Sequence, residues 1–327
     1  MDAHAPPPHG GNLTAARRRF PAAPEPWLDL STGISPFAYP YSPLPTDAFT
    51  RLPEPDDEAR LRAIAASRYG AVDAGQIVAA PGTQILLPLI AQLRPPGRAC
   101  VLGPTYAEHA RAAALVGHSV VEAREPEPCE LLTIVNPNNP DGRLWSRESL
   151  REIAAAQRLH GGLLVVDEAF MEAADSDESL ASDVDQGGIV VLRSFGKFHG
   201  LAGLRLGFAI TDPDTATRLR ALFGPWAVSG PALAVGLAAL ADAAWAEAAR
   251  ARLFHAALAL DAVLHDARCA VLGGTALFRL AACPPGTFER LGAAGILVRR
   301  FEALPDRLRF GIPADAAALA RLRDALA

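Results

Sequence analysis

The first residue with distinctive chemistry is identified by a count. Of the 31 basic side chains, 30 are arginine, and the single lysine is Lys197. A deprotonated lysine amine forms a Schiff base with a carbonyl, whereas a guanidinium does not. Lys197 lies in Ser194-Phe195-Gly196-Lys197-Phe198-His199-Gly200-Leu201-Ala202-Gly203-Leu204-Arg205-Leu206-Gly207. Upstream, Asp167-Glu168 closes the apolar run Leu163–Val166. An acid at the end of a buried strand is costly unless partnered, so a nearby cation or protonated ring nitrogen is expected. Helix-cap duty is the competing account of Asp167. Pro81-Gly82-Thr83-Gln84 follows one apolar run and opens a helical pattern. Its amides and Thr83 suit a phosphate, although an ordinary glycine turn with a threonine cap has the same sequence. Asn136-Pro137-Asn138-Asn139-Pro140-Asp141-Gly142 follows the Leu131–Val135 run and is either a plain loop or a strand-end site.

These residues need a frame that places them together. Short β-rich runs (Gln76–Ala80, Ala99–Leu102, Leu131–Val135, Leu163–Val166, Ile189–Leu192, Leu206–Ile210) alternate with helical patterns at Gln84–Leu93, Ala107–Val116 and Arg147–Leu159. Continuous apolar strands alternating with helices predict an α/β fold with a mostly parallel sheet covered on both faces. Ligands collect at the carboxyl ends of such strands, where the residues above fall. Residues 1–40 are Pro- and Gly-rich and read as an extended N-terminal arm. The large domain is expected over 41–212 and a smaller C-terminal α/β domain over 213–327, with helices at Ala232–Ala249 and Arg252–Leu264 and a last one from Ala314.

Composition removes other classes of function. With 50% hydrophobic and 20% charged residues, the 327-residue chain reads as a soluble globular protein. A net charge of −5 without a basic run argues against nucleic acid. The apolar stretch Pro231–Ala249 is broken by Asp242 and Glu247, so a buried helix accounts for it better than a membrane span. MDAHAPPPHGGN lacks a signal-peptide core, and a cytoplasmic location is expected. Cys100, Cys129, Cys269 and Cys283 lie far apart with no CxxC pair. That excludes a Cys-rich zinc site and predicts reduced thiols in place of a disulfide framework.

The ordered set of the glycine turn, Tyr106, the NPNNPDG loop, Asp167, the Ser-x-x-Lys segment and Gly200–Gly207 resembles the fold-type I pyridoxal-phosphate enzymes of the aspartate aminotransferase type. The resemblance implies a pyridoxal 5'-phosphate cofactor joined to Lys197, with Asp167 on the protonated ring nitrogen. It implies Asn139 on the phenolic oxygen, Tyr106 stacked on the ring, and Gly82, Thr83, Ser194 and Arg205 on the phosphate. Lys197, Asp167 and Tyr106 would be the catalytic residues. Arg309, in Arg307-Leu308-Arg309-Phe310-Gly311, falls where relatives grip the substrate carboxylate, and an ordinary surface arginine is the alternative.

Two branches of the family are close. His9-Gly10-Gly11-Asn12, Leu28-Asp29-Leu30-Ser31-Thr32-Gly33-Ile34-Ser35-Pro36 and Asp167-Glu168-Ala169-Phe170 resemble the threonine-phosphate decarboxylases of cobalamin synthesis. The other branch, the histidinol-phosphate aminotransferases, usually has a tyrosine in place of Phe170. The resemblance implies a phosphorylated amino acid as substrate, bound by His9, Gly33, Asn139 and Arg309, with the Gly10 and Gly11 amides aiding at the phosphate. A homodimer is implied as well. Transamination is the alternative reaction, and a non-catalytic pyridoxal-fold regulator is the alternative class. Two departures touch the cofactor phosphate: Gly196, where relatives carry Ser or Thr, and Leu52, where a tyrosine usually reaches the neighbouring subunit.

Overall fold

The computed structural model describes residues 9–174, 178–302 and 304–327. Residues 1–8 of the expected arm lie outside that set. Packing divides the chain into a larger unit, 39–139 with 144–244, and a smaller one, 9–38 with 140–143 and 245–327.

The larger unit is built on a seven-stranded sheet in the spatial order Ile77–Ala80, Gly207–Thr211, Ile189–Arg193, Leu163–Asp167, Leu131–Val135, Arg98–Leu102, Ser119–Ala123. All neighbours are parallel except Gly207–Thr211, which runs antiparallel to the strand on either side. Four central strands are buried along their whole length, as their unbroken apolar runs require. Helices Pro55–Tyr69, Thr83–Ala91, Glu108–Leu115, Arg147–Leu159 and Pro213–Phe223 pack on these strands. Their ends are set locally. Ser146 and Asp212 accept N-cap bonds from Ser149 and Thr215, and Gly70 closes its helix at φ 77°.

The smaller unit has a five-stranded sheet ordered Leu28–Leu30, Ile296–Phe301, Leu304–Gly311, Phe278–Ala282, Ala270–Thr275. Its core gathers Leu30, Leu260, Leu264, Leu291, Val298 and Phe310.

Several sequence expectations are corrected. Residues 9–38 are more than an extended arm: Asn12 caps a helix over Leu13–Arg19, and Leu28–Leu30 pairs in parallel with Ile296–Val298. The packing division falls after residue 244, not at 213, because helix Gly230–Ala241 lies on helix Pro55–Tyr69 and helix Pro213–Phe223 lies on the large sheet. The helix expected over Ala232–Ala249 is interrupted at Asp242, where a new helix begins and runs over Ala243–Asp266. Among the described residues, no single helix is long and apolar enough to cross a membrane.

The thiols also differ from expectation. Antiparallel pairing of Ala270 with Ala282 brings the flanking Cys269 and Cys283 face to face, with Cα atoms 4.3 Å apart, and they form a disulfide. Cys100 and Cys129 are free and buried, and burial, reinforced by Cys100, pushes the Cys129 thiol up to about 12.

Candidate active site

In the larger unit the candidate residues cluster at strand ends, as parallel-sheet topology predicts. Asp167 is the last residue of its strand and is buried. One of its carboxylate oxygens lies 2.8 Å from His109 Nε2 and the other accepts the Ala169 amide at 3.0 Å. The partner expected for this buried acid is therefore present within the protein. His109 escaped the sequence reading, although it lies three residues after Tyr106. Tyr106 precedes helix Glu108–Leu115 and His109 lies in its first turn, and the two rings meet edge-on with centroids 5.8 Å apart. Tyr106 Oη donates to Gln84 Oε1 at 3.1 Å, and Gln84 donates in turn to Glu108 at 2.6 Å. Helix Glu108–Leu115 is thereby tied to the turn at Gly82-Thr83.

That turn has the shape of an anion cradle. Gly82 lies at φ 87°, and a Cβ there would collide with the Arg205 guanidinium. Thr83 opens helix Thr83–Ala91. A Cβ on Gly207 would come within 2.6 Å of the Thr83 amide nitrogen, so this glycine lets the turn sit directly on its neighbouring strand. Arg205 adopts the left-handed conformation at φ 55°, and its Nη1 donates to Ala202 O at 2.9 Å. The N-terminus of helix Thr83–Ala91 and the Arg205 guanidinium meet at this turn, donors of the kind a phosphate requires. On this geometry the residues present fit a pyridoxal phosphate.

Lys197 sits on the short helix Phe195–Phe198, one turn after Ser194, whose carbonyl accepts the Lys197 amide at 3.2 Å. Phe195 stacks on buried His199 with centroids 4.1 Å apart, anchoring that helix, and Lys197 Nζ lies 6.0 Å from the Phe170 ring centroid. The glycine at 196 has a local cause: a Cβ would come within 2.7 Å of Ala202 Cα. In the NPNNPDG loop, buried Asn138 accepts from Thr105 Oγ1 at 2.6 Å and donates to Pro104 O at 3.1 Å. Asn139 beside it is half-buried.

In the smaller unit a second cluster forms around Ser31. Its hydroxyl donates to Asp29 at 2.6 Å and accepts the Gly11 amide at 2.7 Å, and its carbonyl accepts from Arg309 at 2.9 Å. Gly10 lies so close to the Ser31 carbonyl that no Cβ fits. The Gly11 amide, expected at a substrate phosphate, is thus engaged by Ser31 within the fold. Arg309 is buried and not on the surface. Burial pushes its guanidinium down to about 9, helped by Arg299, its direct cross-strand neighbour. His9 is exposed and Gly33 is buried. A cavity of about 390 Å³ in this unit, lined by Cys283, Thr287, Arg300 and Asp306 among others, holds none of the expected site residues.

A seven-stranded α/β sheet with a lysine, an acid and a phosphate cradle at its strand ends is the framework of one enzyme class, and comparison with known proteins agrees. The chain belongs to the family described as aminotransferase class I and II, whose sequence model matches residues 45–326. It is 42% identical over 326 residues to the threonine-phosphate decarboxylase of Pseudomonas aeruginosa, covering 97% of this chain and 96% of that protein. Among solved structures, it is similar to the histidinol-phosphate aminotransferase from Sinorhizobium meliloti in complex with pyridoxal-5'-phosphate. There the TM-score is 0.82 at 22% identity, over 99% of this chain and 94% of that one. The L-threonine-O-3-phosphate decarboxylase from Porphyromonas gingivalis gives 0.75 at 22% identity, over 86% and 94%.

Proposed function

We propose that this protein is a pyridoxal 5'-phosphate-dependent decarboxylase that converts O-phospho-L-threonine to 1-aminopropan-2-yl phosphate and CO₂ in cobalamin synthesis. The observation that carries the reading is the 42% identity to the Pseudomonas aeruginosa threonine-phosphate decarboxylase along essentially the whole of both chains. Phe170, buried near Lys197, supports it, since it occupies the position where the aminotransferase branch usually has a tyrosine.

When bound, the cofactor supplies an electron sink for the charge left at Cα as the carboxylate departs. The chain does the rest. Gly82, Thr83, Ser194 and Arg205 would hold the cofactor phosphate. Asp167, kept in place by His109 and the Ala169 amide, would meet the ring nitrogen and keep it protonated. Tyr106 would pack on the ring and Asn139 would donate to its phenolic oxygen. Lys197 would carry the cofactor and afterwards return a proton to Cα. Arg309 takes the substrate carboxylate, and His9 and Gly33 meet the substrate on its phosphate side.

The enzyme is read as a cytoplasmic homodimer. Tyr41, Phe49 and Leu52 are 56%, 68% and 63% exposed within one short stretch, apolar surface of the kind a second copy could cover. Light scattering of the purified protein tests the dimer directly.

A second reading, transamination of histidinol phosphate, is favoured by the structural likeness to the Sinorhizobium meliloti aminotransferase. Product analysis separates the two. Amine and CO₂ from phosphothreonine are expected, whereas efficient glutamate formation from histidinol phosphate and 2-oxoglutarate, with phosphothreonine inert, would replace the decarboxylase by the aminotransferase.

A further inference from the structure

Directly behind the candidate site lies a buried ion pair that none of the roles above uses. Glu168 Oε2 is 2.9 Å from Arg193 Nη2, and both side chains are almost wholly removed from water. The carboxylate also accepts from Ser179 Oγ at 2.7 Å and from the Leu180 amide at 2.9 Å, while Arg193 donates to Ser179 Oγ at 2.8 Å and lies over the Tyr69 ring. Glu168 follows Asp167, and Arg193 precedes Ser194. The two strands are parallel neighbours with Asp167 opposite Leu192, and the Glu168 amide donates to Leu192 O at 2.9 Å. Successive side chains on a strand point to opposite faces. The pair therefore joins the two strand ends from one face, and the chain neighbours Asp167 and Ser194 start from the same backbone units.

A buried ion pair is a poor means of gaining stability, because desolvating two charges cancels most of their attraction and apolar replacements often do as well. What such a pair offers is a fixed separation with defined directions. We propose that Glu168 and Arg193 are positioning residues for the cofactor site, acting through Asp167 and Ser194. They set the spacing between the acid that meets the ring nitrogen and the segment that carries Ser194 and Lys197. The inference rests on the cofactor roles given to Asp167 and Ser194 above.

The test separates position from stability. Glu168→Gln alone strands the Arg193 charge in the interior and can simply unfold the protein. The double variant Glu168→Gln/Arg193→Met removes both charges, while the amide can still accept from Leu180 and donate to Ser179. Its cofactor-free form should melt within a few degrees of wild type. Its affinity for pyridoxal phosphate, titrated by absorbance without substrate, should fall by about tenfold, and kcat should fall with KM for phosphothreonine little changed, as displaced reacting groups cause. A double variant with wild-type affinity and kcat would overturn the proposal. So would one that loses thermal stability while its folded fraction binds cofactor normally. The affinity measurement contains no substrate, so an inert wild type with phosphothreonine would remove the substrate assignment without touching this result.

Discussion

Buried charges in the two units are handled in different ways. Asp167 in the larger unit is met by the His109 ring and a backbone amide, and Glu168 beside it by Arg193 and two further donors. Arg309 in the smaller unit donates to the Ser31 carbonyl and lies over the Phe278 ring, but it also faces another cation, Arg299, across the sheet, and burial with that neighbour pushes it down to about 9. The anions of the large sheet are stabilised where they are, whereas the charged form of Arg309 is disfavoured in the free protein and would gain if an anion arrived.

Removing the resident machinery should have the largest effect. Lys197→Ala should abolish turnover, beyond the roughly 10²–10⁴-fold owed to proton transfer alone. Borohydride reduction of the wild-type holoenzyme followed by peptide mapping should find the cofactor on Lys197, and label on no other residue is compatible with this site. Asp167→Asn should stay folded and bind cofactor while kcat drops by about 10²–10³, the scale of one lost electrostatic contact at the reacting group. Arg205→Ala should act on affinity instead, weakening cofactor binding by about 1.5–3 kcal/mol for a lost charge-assisted contact. Cofactor titration of the two variants side by side distinguishes these patterns.

Arg309 supplies the contrasting case. Arg309→Met should raise KM for phosphothreonine by about ten- to a hundredfold, on the same scale of 1.5–3 kcal/mol, and leave cofactor affinity alone. The sign of the pH effect follows from the lowered value. Below about 9 the guanidinium is charged and would hold the carboxylate, and above it that hold would weaken, so wild-type KM should climb as pH passes 9. For stability the sense is reversed. A cation with a folded value below its usual 12.5 opposes folding most fully at low pH, and this cost is relieved as pH rises from 9 towards 12.5. Cofactor-free Arg309→Met should therefore melt no lower than wild type at neutral pH. A clear loss of stability would make Arg309 a structural charge like those of the large sheet and erase the contrast.

How much of this was legible in the sequence depends on whether a signal was local. Lys197 stood out because it has no competitor, and Asp167 because an acid ended an apolar run. The central strands were readable because burial on both faces leaves them mostly apolar, with charges only at their ends. Strand Ser119–Ala123 was missed because it lies at the sheet edge and is largely exposed. The helix over Leu13–Arg19 was hidden among prolines and glycines, with Asn12 as its only announcement. The Cys269–Cys283 bond and the Glu168–Arg193 pair depend on strand register, which joins residues that no spacing rule connects.

The smallest effect belongs to His9, where the comparison can be tested most finely. The chain around it is more structural than its sequence indicates, since Gly11 binds Ser31 and Asn12 caps a helix. Deleting residues 1–12 would thus disturb the Ser31 cluster that receives Arg309, and only a point change isolates the imidazole. His9 is exposed, and an exposed ion contact is worth at most about 1 kcal/mol. His9→Ala should therefore raise KM for phosphothreonine by no more than about fivefold, with kcat and cofactor affinity unchanged. Screening sharpens the assignment, because a contact made in water fades within a Debye length of about 10 Å at 0.1 M salt and about 3 Å at 1 M. The KM difference between wild type and His9→Ala should then disappear in molar salt, whereas the Arg309→Met difference, made by a buried group, should persist. A His9 effect as large and as salt-resistant as that of Arg309 would mean that the arm closes over the substrate and removes His9 from solvent.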